Sequence, residues 1–394
     1  MSQRLINRSP DLKKLRDEGF DVEIRSGHLL VKDVPYVNAR REVKRGVLVS
    51  TLALAGDVTT TPDSHVAHFV GDYPCRSDGT EIDQIRNASN RKTLAEGLVV
   101  DHTFSAKPAD PYTDYYAKIT TYVALLEGQA RIIVPAATAK TFPVIEAGND
   151  DGDTVFNYVD TASSRAEIDV NTKKLAISKV AIVGLGGTGA YVLDLVAKTP
   201  VKEIHLFEGD AFLQHNAFRS PGAPSIEELR AKPGKAAYLQ GIYAKMRRGI
   251  VVHAEHVGPE NVDLLREMQF VFLCLDRGTS KKLTVERLEE FGIPFIDVGM
   301  GVYVTDGMLG GIVRVTTSTP EHRDHFRSHV SFSDGDEHNE YARNIQTADL
   351  NALNAALAVI KWKKRFGFYM DLDREHHCTY TIDGNTLTNE DRRL

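Results

Sequence analysis

The sequence of 394 residues has few cysteines, a single tryptophan and no excess of positive charge. Three cysteines are too few for a disulfide framework in a chain of this size, so we expect a reducing, cytoplasmic compartment. A formal net charge of −6 excludes the bulk basic field that attracts nucleic acid or an anionic membrane. The sequence also has no apolar run near the ~20 residues that span a bilayer, and its first residues lack the apolar core of a signal peptide.

Composition and length are those of a soluble protein with room for two domains. Hydrophobic residues make up 42 % of the chain and charged residues 26 %, both ordinary values. Residues 149–172 are rich in Asp, Ser, Thr and Asn, which predicts a connector. We therefore expect an N-terminal domain over residues 1–150, a connector over 151–175 and a second domain over 176–394.

Before the connector, the sequence indicates a mixed α+β domain. Alternating apolar residues in HLLVKDVPYV and RGVLVSTLAL predict strands between Gly27 and Ser50. Apolar residues at helical spacing predict an amphipathic helix over Tyr112–Leu126.

After the connector, short apolar strands alternate with helices. This order predicts an α/β domain with a Rossmann-like, doubly wound and mostly parallel sheet, whose ligands bind at the carboxyl ends of the strands. The predicted strands are Lys179–Leu185, Glu203–Phe207, Ile250–His253, Phe270–Asp276 and Pro294–Val298. The predicted helices are Thr188–Lys198, Lys235–Met246, Lys281–Phe291 and a long Asn344–Lys364, followed by a last strand, His377–Ile382.

A glycine-rich turn joins the first of these strands to its helix. The segment GLGGTG, from Gly184 to Gly189, matches G-x-G-x-x-G in the strand–turn–helix context that cradles the phosphates of a nucleotide. Gly186 and Gly187 belong to the same candidate loop. Glu208 ends the second strand, where an acid bonds a ribose hydroxyl. A nucleotide site is therefore a better interpretation than a tight turn without a ligand.

Four further polar residues follow at or near the ends of the next elements, namely Asn216, Arg219, Lys235 and Asp276. Singly, each has a structural explanation as a surface or capping residue. Hydride transfer gains nothing from two cations and another carboxylate beside a glycine loop. Attack on the α-phosphate of ATP needs them, because cations stabilise the departing pyrophosphate and a carboxylate such as Asp276 holds the Mg²⁺.

This set resembles the ubiquitin-activating superfamily, including the bacterial ThiF, MoeB and HesA adenylyltransferases. The resemblance covers Lys179 to about Val315. Glu208 matches the ribose acid, Asn216 and Arg219 match N-x-x-R, and Asp276 matches the metal-linked Asp. The family's lysine is matched by Lys235, with Lys232 as the rival.

The resemblance implies an ATP- and Mg²⁺-dependent enzyme that adenylates the C-terminal carboxylate of a ubiquitin-like protein and can pass it to a conjugating partner. It also implies a homodimer in which an arginine crosses to the partner's site; Arg40, Arg41 and Arg45 are candidates, against a solvated basic turn. The N-terminal region resembles an extension of some uncharacterised bacterial ThiF-family proteins. The alternatives are adenylation of a small molecule, a peptide or a tRNA base, and a scaffold that senses ATP without turnover.

The chain departs from the family in its cysteines. It has no paired C-x-x-C motif, which excludes a structural zinc of that kind. The segment after strand five, expected to be a loop, has no cysteine. It does have hydroxyls, and His322 and His325 follow as possible bases. The hydroxyl residues are Thr316, Thr317, Ser318 and Thr319.

Cys378 is the best thiol candidate, because Arg374, His376 and His377 precede it and are expected to lower its pKa. Cys274 is predicted to be a buried small hydrophobe, and Cys75 lies in a turn of the other domain. We favour a route without cysteine, or direct transfer to a partner, over a Cys378 thioester.

A set of histidines at His322, His325, His329 and His338 has a spacing that suits a metal if the segment is helical. The surrounding Arg, Asp, Ser and Gly favour a polar crossover loop instead. We assign no metal ligand from this set.

Overall fold

The computed structural model describes residues 2–147, 154–276, 278–332 and 345–390. The chain forms two compact units, one of residues 1–154 with 158–166 and one of 155–157 with 167–394. Within the described ranges, we find no helix that is both long and apolar enough to cross a membrane.

The N-terminal unit is an antiparallel sheet covered by a long helix. Six strands lie in the order β1-β2-β3-β6-β10-β7, and two short pairs, β4-β5 and β8-β9, flank them. The helices are α1 Ser2–Arg8, α2 Pro10–Asp17, α3 Tyr115–Ile133 and α4 Thr161–Arg165. The strands are β1 Val22–Arg25, β2 His28–Val37, β3 Val43–Thr51, β4 Leu54–Ala55, β5 Val58–Thr59, β6 Val66–Val70, β7 Arg86–Ala88, β8 Lys92–Ala95, β9 Leu98–Val100 and β10 His102–Ser105.

The predicted helix of this unit is confirmed as α3, although it starts three residues later and runs seven residues further than expected. Asp114 caps it, because its carboxylate accepts a hydrogen bond of 2.7 Å from the backbone N–H of Ala117. Its apolar face, with Ile119 and Leu126 fully buried, packs with Phe69 of β6 in one core.

The second unit is built on an eight-stranded sheet in the order β13-β12-β11-β14-β15-β16-β17-β18. The pairs from β13 to β15 are parallel and those from β15 to β18 antiparallel. The strands are β11 Lys179–Val183, β12 Glu203–Phe207, β13 Ile250–His253, β14 Phe270–Leu273, β15 Phe295–Thr305, β16 Met308–Ser318, β17 His377–Thr381 and β18 Thr386–Glu390. The helices are α5 Asp169–Lys173, α6 Gly187–Ala197, α7 Gln214–Ala217, α8 Ile226–Ala231, α9 Lys235–Tyr243, α10 Gly278–Phe291, α11 Phe326–His329 and α12 Ala348–Arg365.

The predicted fold class is therefore confirmed, and each of the five predicted parallel strands is present. The first strand is central and the second and third lie on one side of it, with the fourth and fifth on the other, which is the doubly wound arrangement. Buried apolar side chains of β11, β12 and β14 form one core with α6 and with Trp362 of α12. The predicted long helix is α12; its first predicted residue, Asn344, lies outside the described residues.

The prediction of a loop after the fifth strand is wrong. The fifth strand continues to Thr305, turns at Asp306 and Gly307, and returns as β16, paired residue by residue from Met308 to Ser318. Both turn residues have positive φ, +52° at Asp306 and +74° at Gly307, as a two-residue Asp-Gly hairpin turn requires. The Asp-Gly pair between apolar stretches was the signal for this hairpin in the sequence.

Candidate functional site

The glycine loop lies where β11 ends. Gly184 has φ +89°, and a Cβ there would lie 2.5 Å from the carbonyl oxygen of Cys274, so only glycine fits. Gly186 caps α6, and no atom lies within 4 Å of where its Cβ would be. Open space therefore lies beside Gly186 at the start of α6, and a helix N-terminus, with the positive end of its dipole, is a site that binds phosphate.

Glu208 lies at the carboxyl end of β12 and braces this loop. Its carboxylate is 6 % exposed and accepts hydrogen bonds from the backbone N–H groups of Leu185 at 2.8 Å and Asp210 at 2.9 Å. Because each carboxylate oxygen has two lone pairs, Glu208 can still accept a ribose hydroxyl. The structure thus adds a loop-positioning contact to the ligand role predicted for Glu208.

Lys235 is the lysine beside Glu208. It starts α9, is 7 % exposed, and its ammonium lies 2.8 Å from Asp210 and 3.7 Å from Glu208. The rival, Lys232, is exposed at the end of α8 in a left-handed conformation. The burial of Lys235 beside Glu208 and the exposure of Lys232 support Lys235 as the lysine at the site.

Asp210 also lies 3.4 Å from His256. Among the described residues, ligand atoms of Glu208, Asp210 and His256 lie within 4.8 Å of one another. The Lys235 ammonium already supplies a positive charge to both carboxylates, so this group has little electrostatic need for a metal ion.

Asn216 and Arg219 present buried donors without partners. Asn216 is 1 % exposed; its Oδ1 accepts a hydrogen bond of 2.8 Å from the Leu213 N–H, whereas its Nδ2 is buried with no partner. The Nε of Arg219 is likewise buried without an acceptor. Native proteins pair nearly all such groups, so each orphan donor points to an absent acceptor.

Asn351 is a residue that sequence reasoning missed. It lies on α12, is fully buried, accepts a hydrogen bond of 2.8 Å from the Thr188 hydroxyl and donates one of 3.3 Å to the Arg219 carbonyl. A Cβ on Gly187 would overlap its side-chain amide. Asn351 thus joins the glycine loop to the segment that carries Arg219. The sequence carried no signal for it, because the contact joins residues far apart in the chain.

Asp276 follows β14 at the same edge of the sheet and is exposed. Asp297 of β15 pairs with Leu273, the last residue of β14. It is completely buried, 3.0 Å from the Lys281 ammonium and 2.5 Å from the Arg314 guanidinium. The two cations compensate the charge of Asp297 in the interior. Charged groups therefore lie just after the carboxyl end of β14 and, at Asp297, in the part of β15 that pairs with that end.

Of the four hydroxyl residues, Thr316, Thr317 and Ser318 lie in β16 rather than in a loop, and Thr319 directly follows that strand. Thr316 is fully buried, and its Oγ1 accepts a hydrogen bond of 2.7 Å from Arg314 and lies 3.0 Å from Nδ1 of His377. Thr317 is 8 % exposed, and Ser318 and Thr319 are buried as well. Burial in a paired strand leaves Thr316 no room to receive an acyl group.

The predicted lowering of the Cys378 pKa is also wrong. Cys378 lies in β17, is 3 % exposed and pairs with Val315 of the next strand. Burial raises the pKa of its thiol, and it belongs to the main core of the unit. Burial also raises the pKa values of Cys75 and Cys274. Cys274 packs against the same core, as a small hydrophobe would.

Two predicted groups remain, the histidines after β16 and the arginines of the N-terminal unit. His322, His325 and His329 lie together, with a helical turn only at the short α11, while His338 is outside the described residues. In the other unit, Arg45 donates to the carbonyls of Asp33 at 2.7 Å and Thr138 at 2.6 Å, and Arg40 and Arg41 are exposed.

Comparison with known proteins agrees with this architecture. Residues 160–364 match the ThiF family, and residues 10–161 match a domain of unknown function, DUF6791. A search of curated proteins finds none that matches the chain.

Several solved structures are similar. The E. coli MccB complex with AMPCPP and selenomethionine MccA is 18 % identical over 58 % of this chain and 68 % of its own, with a TM-score of 0.46. E. coli MccB with ATP is 17 % identical over 58 % of this chain and 69 % of its own, with a TM-score of 0.44. Selenomethionine PaaA is 16 % identical over 87 % of this chain and 98 % of its own, with a TM-score of 0.47.

The ThiF match spans the glycine loop, the β12 acid, the segment with the orphan donors and helix α12, and it covers more than half of the sequence. The chain belongs to the ThiF family.

Proposed function

We propose that this protein uses ATP and Mg²⁺ to adenylate the C-terminal carboxylate of a ubiquitin-like protein. The observation that carries the proposal is the set of donors around the glycine loop. Asn216 Nδ2 and Arg219 Nε are buried without acceptors, and the buried Lys235 ammonium lies beside Glu208. A triphosphate supplies the acceptors and negative charge that this set of groups requires.

In the proposed reaction, a carboxylate oxygen of the substrate attacks the α-phosphorus of ATP. A bond forms between these atoms while the bond to the bridging oxygen of pyrophosphate breaks. The N–H groups at the start of α6 and Glu208 hold the nucleotide, whereas Arg219 and Lys235 offset the charge that develops on the pyrophosphate. Asp276 would hold Mg²⁺, which supplies positive charge to the phosphates when bound.

For the second half of the reaction, we propose direct transfer to a conjugating partner. The burial of Thr316 and Cys378 supports this route, because neither side chain is accessible to an acyl-adenylate. We also propose a homodimer, as in the resemblance to compact ThiF-like proteins. Light scattering at micromolar concentration tests it, and a monomer with full activity would contradict it.

ATP–pyrophosphate exchange tests the adenylation. With a ubiquitin-like carrier, radioactivity from labelled pyrophosphate should enter ATP, and Asp276→Asn and Lys235→Met should abolish the signal. Asp306→Asn and Lys232→Met are matched controls, because both positions are exposed and lie in turns or helix ends. Exchange that is unchanged in Asp276→Asn, or tight binding of NAD in place of ATP, would overturn the assignment.

The same assay separates the substrate classes. Exchange only with a protein carrier that ends in glycine supports the proposal. Exchange with a free peptide, a small carboxylic acid or a tRNA would show that the enzyme adenylates that compound rather than a ubiquitin-like protein. ATP binding without exchange on any acceptor would identify a nucleotide-sensing protein.

A further inference from the structure

An open groove lies between helices α7 and α8 of the second unit. It has a volume of about 540 Å³, which is in the size range of binding pockets in proteins. Its lining includes three apolar and three basic or ionisable side chains, namely Leu213, Ile226 and Leu229, and His215, Arg230 and Lys232. Among the described residues that line the groove, none is acidic. We call it the α7–α8 groove.

The apolar walls of this groove are themselves exposed to solvent. Leu213 is 38 % exposed and Ile226 is 63 % exposed, although both are large apolar residues. A site for a small molecule buries most of its ligand, which walls as open as these do not achieve. Exposed apolar side chains that share one groove with polar residues at its rim are typical of a surface that binds another protein.

The charge of the groove selects the chemistry of that protein. Arg230 lies in the last turn of α8 and Lys232 is the C-cap of the same helix, and both are exposed. In the part of the chain that the structure describes, neither side chain forms an ion pair, so both charges are available to a partner. The complement of such a groove is a segment with apolar side chains on one face and carboxylates beside them.

The groove also lies next to the proposed nucleotide site. One of its walls is α7, a helix of four residues that also carries Asn216 and ends two residues before Arg219. Four helical residues span about 6 Å, so a segment that binds against His215 lies beside the orphan donors. Direct transfer requires an acyl acceptor at this position, because Cys75 and Cys378 of the enzyme are buried.

We propose that the α7–α8 groove docks an acidic, apolar segment of the partner that receives the acyl group. This inference rests on the proposed direct transfer. Apolar side chains of the segment pack against Leu213 and Ile226, and its carboxylates pair with Arg230 and Lys232. Exposed ion pairs contribute little each and are screened by salt, so the docking is weak and reversible, as repeated transfer requires.

The test uses the full chain and a synthetic, fluorescein-labelled peptide with leucines at helical spacing and glutamates between them. Fluorescence anisotropy should show that this peptide binds, and that high salt weakens the binding. The double variant Arg230→Glu/Lys232→Glu should bind it about tenfold more weakly, and Ile226→Ser about fivefold more weakly. ATP–pyrophosphate exchange should keep its wild-type rate and KM for the carrier in all these variants.

Lys202→Glu/Lys245→Glu is the matched control, because it reverses two exposed cations of the same unit outside the groove and should bind the peptide normally. Melting temperatures equal to that of the wild type show that the variants are folded. Peptide binding that is absent, or that is equal in wild type and groove variants, would overturn the proposal.

Two other occupants are recognised by the same variants. A raised KM for the carrier would assign the groove to the carrier, and self-association that Ile226→Ser abolishes would assign it to a second copy of the chain. Either result would overturn the proposal. A wild type without exchange contradicts the adenylation instead, because the peptide measurement does not depend on catalysis.

Discussion

The two units of this protein differ in whether their buried polar groups have hydrogen-bond partners. In the N-terminal unit, the fully buried Lys118 has its ammonium bonded to the Ser50 hydroxyl at 2.8 Å and the Ser64 carbonyl at 2.7 Å. Among the described residues of that unit, the only buried side-chain polar atom without a hydrogen-bond partner is Oε1 of Gln3. In the second unit, such atoms include Nδ2 of Asn216 and Nε of Arg219, in the segment that Asn351 joins to the glycine loop.

We interpret the Lys118 ammonium as a polar group that serves the architecture, and the unpartnered donors of Asn216 and Arg219 as groups that await a ligand. A buried donor without an acceptor costs about 1–3 kcal/mol, so it persists where a ligand or another function repays it. The predictions below test this interpretation, from the largest expected effect to the smallest.

Arg219→Ala removes an orphan donor and should affect activity but not stability. We expect pyrophosphate exchange to fall about 100- to 1,000-fold, as for the loss of a donor that stabilises developing charge. The melting temperature should stay unchanged, because Nε has no partner to lose. Arg230→Ala, at an exposed position of α8, should keep full exchange. A large stability loss in Arg219→Ala would mean that its role is structural.

Substitution of two glycines of the loop should change different properties, stability at Gly189 and ATP binding at Gly186. A Cβ at Gly189 would overlap the carbonyl oxygen of Gly184, so Gly189→Ala should destabilise the protein by about 3 kcal/mol in urea unfolding. Gly186→Ala meets no atom within 4 Å and should unfold normally, yet bind ATP more weakly because the methyl group enters the space for phosphate. Equal stability losses in both variants would contradict the open space at Gly186.

Lys118 predicts a pH dependence in the N-terminal unit. Burial lowers the pKa of its ammonium to about 8 from an ordinary value of 10.5. Between these values the unfolded chain binds the proton and the folded chain does not, so stability rises as pH increases. We expect a gain of about 2 kcal/mol between pH 7.5 and 9.5 relative to Lys118→Met.

Urea unfolding of the wild type and of Lys118→Met at both pH values measures this difference. Lys92→Met, which replaces an exposed lysine in β8, should follow the wild type. Parallel pH profiles for the wild type and Lys118→Met would show that Lys118 stays charged in the folded protein.

Asn351→Ala should have the smallest effect, because it acts through other groups. The variant loses its bonds to the Thr188 hydroxyl and the Arg219 carbonyl, which together are worth about 2 kcal/mol. We expect the KM for ATP to rise about tenfold with little change in kcat, since the loop and Arg219 lose their relative position. Asn351→Asp, which keeps the acceptor for Thr188, should recover part of the affinity. A fall in kcat alone would argue against a positioning role.

Much of the second unit could be predicted from the sequence. The five parallel strands and the phosphate-loop glycines follow from local patterns, namely apolar runs and a strand–turn–helix motif. The β15–β16 hairpin could also be predicted, because Asp306 and Gly307 lie between apolar stretches. The polar residues of the segment TTSTPEH favoured a loop instead. Thr316 and Thr317 are buried because they face partners in neighbouring strands, which local polarity does not reveal.

The sequence by itself determined the family, the fold class and the order of the polar residues at the strand ends, because these depend on short-range spacing along the chain. The tertiary structure alone decided which of these residues meet. It placed Lys235 rather than Lys232 beside Glu208, brought Asn351 of α12 to the glycine loop, and buried Cys378 beyond reach of a substrate. Burial and contacts between distant segments set the reactivity of a side chain, and neither is encoded in its immediate neighbours.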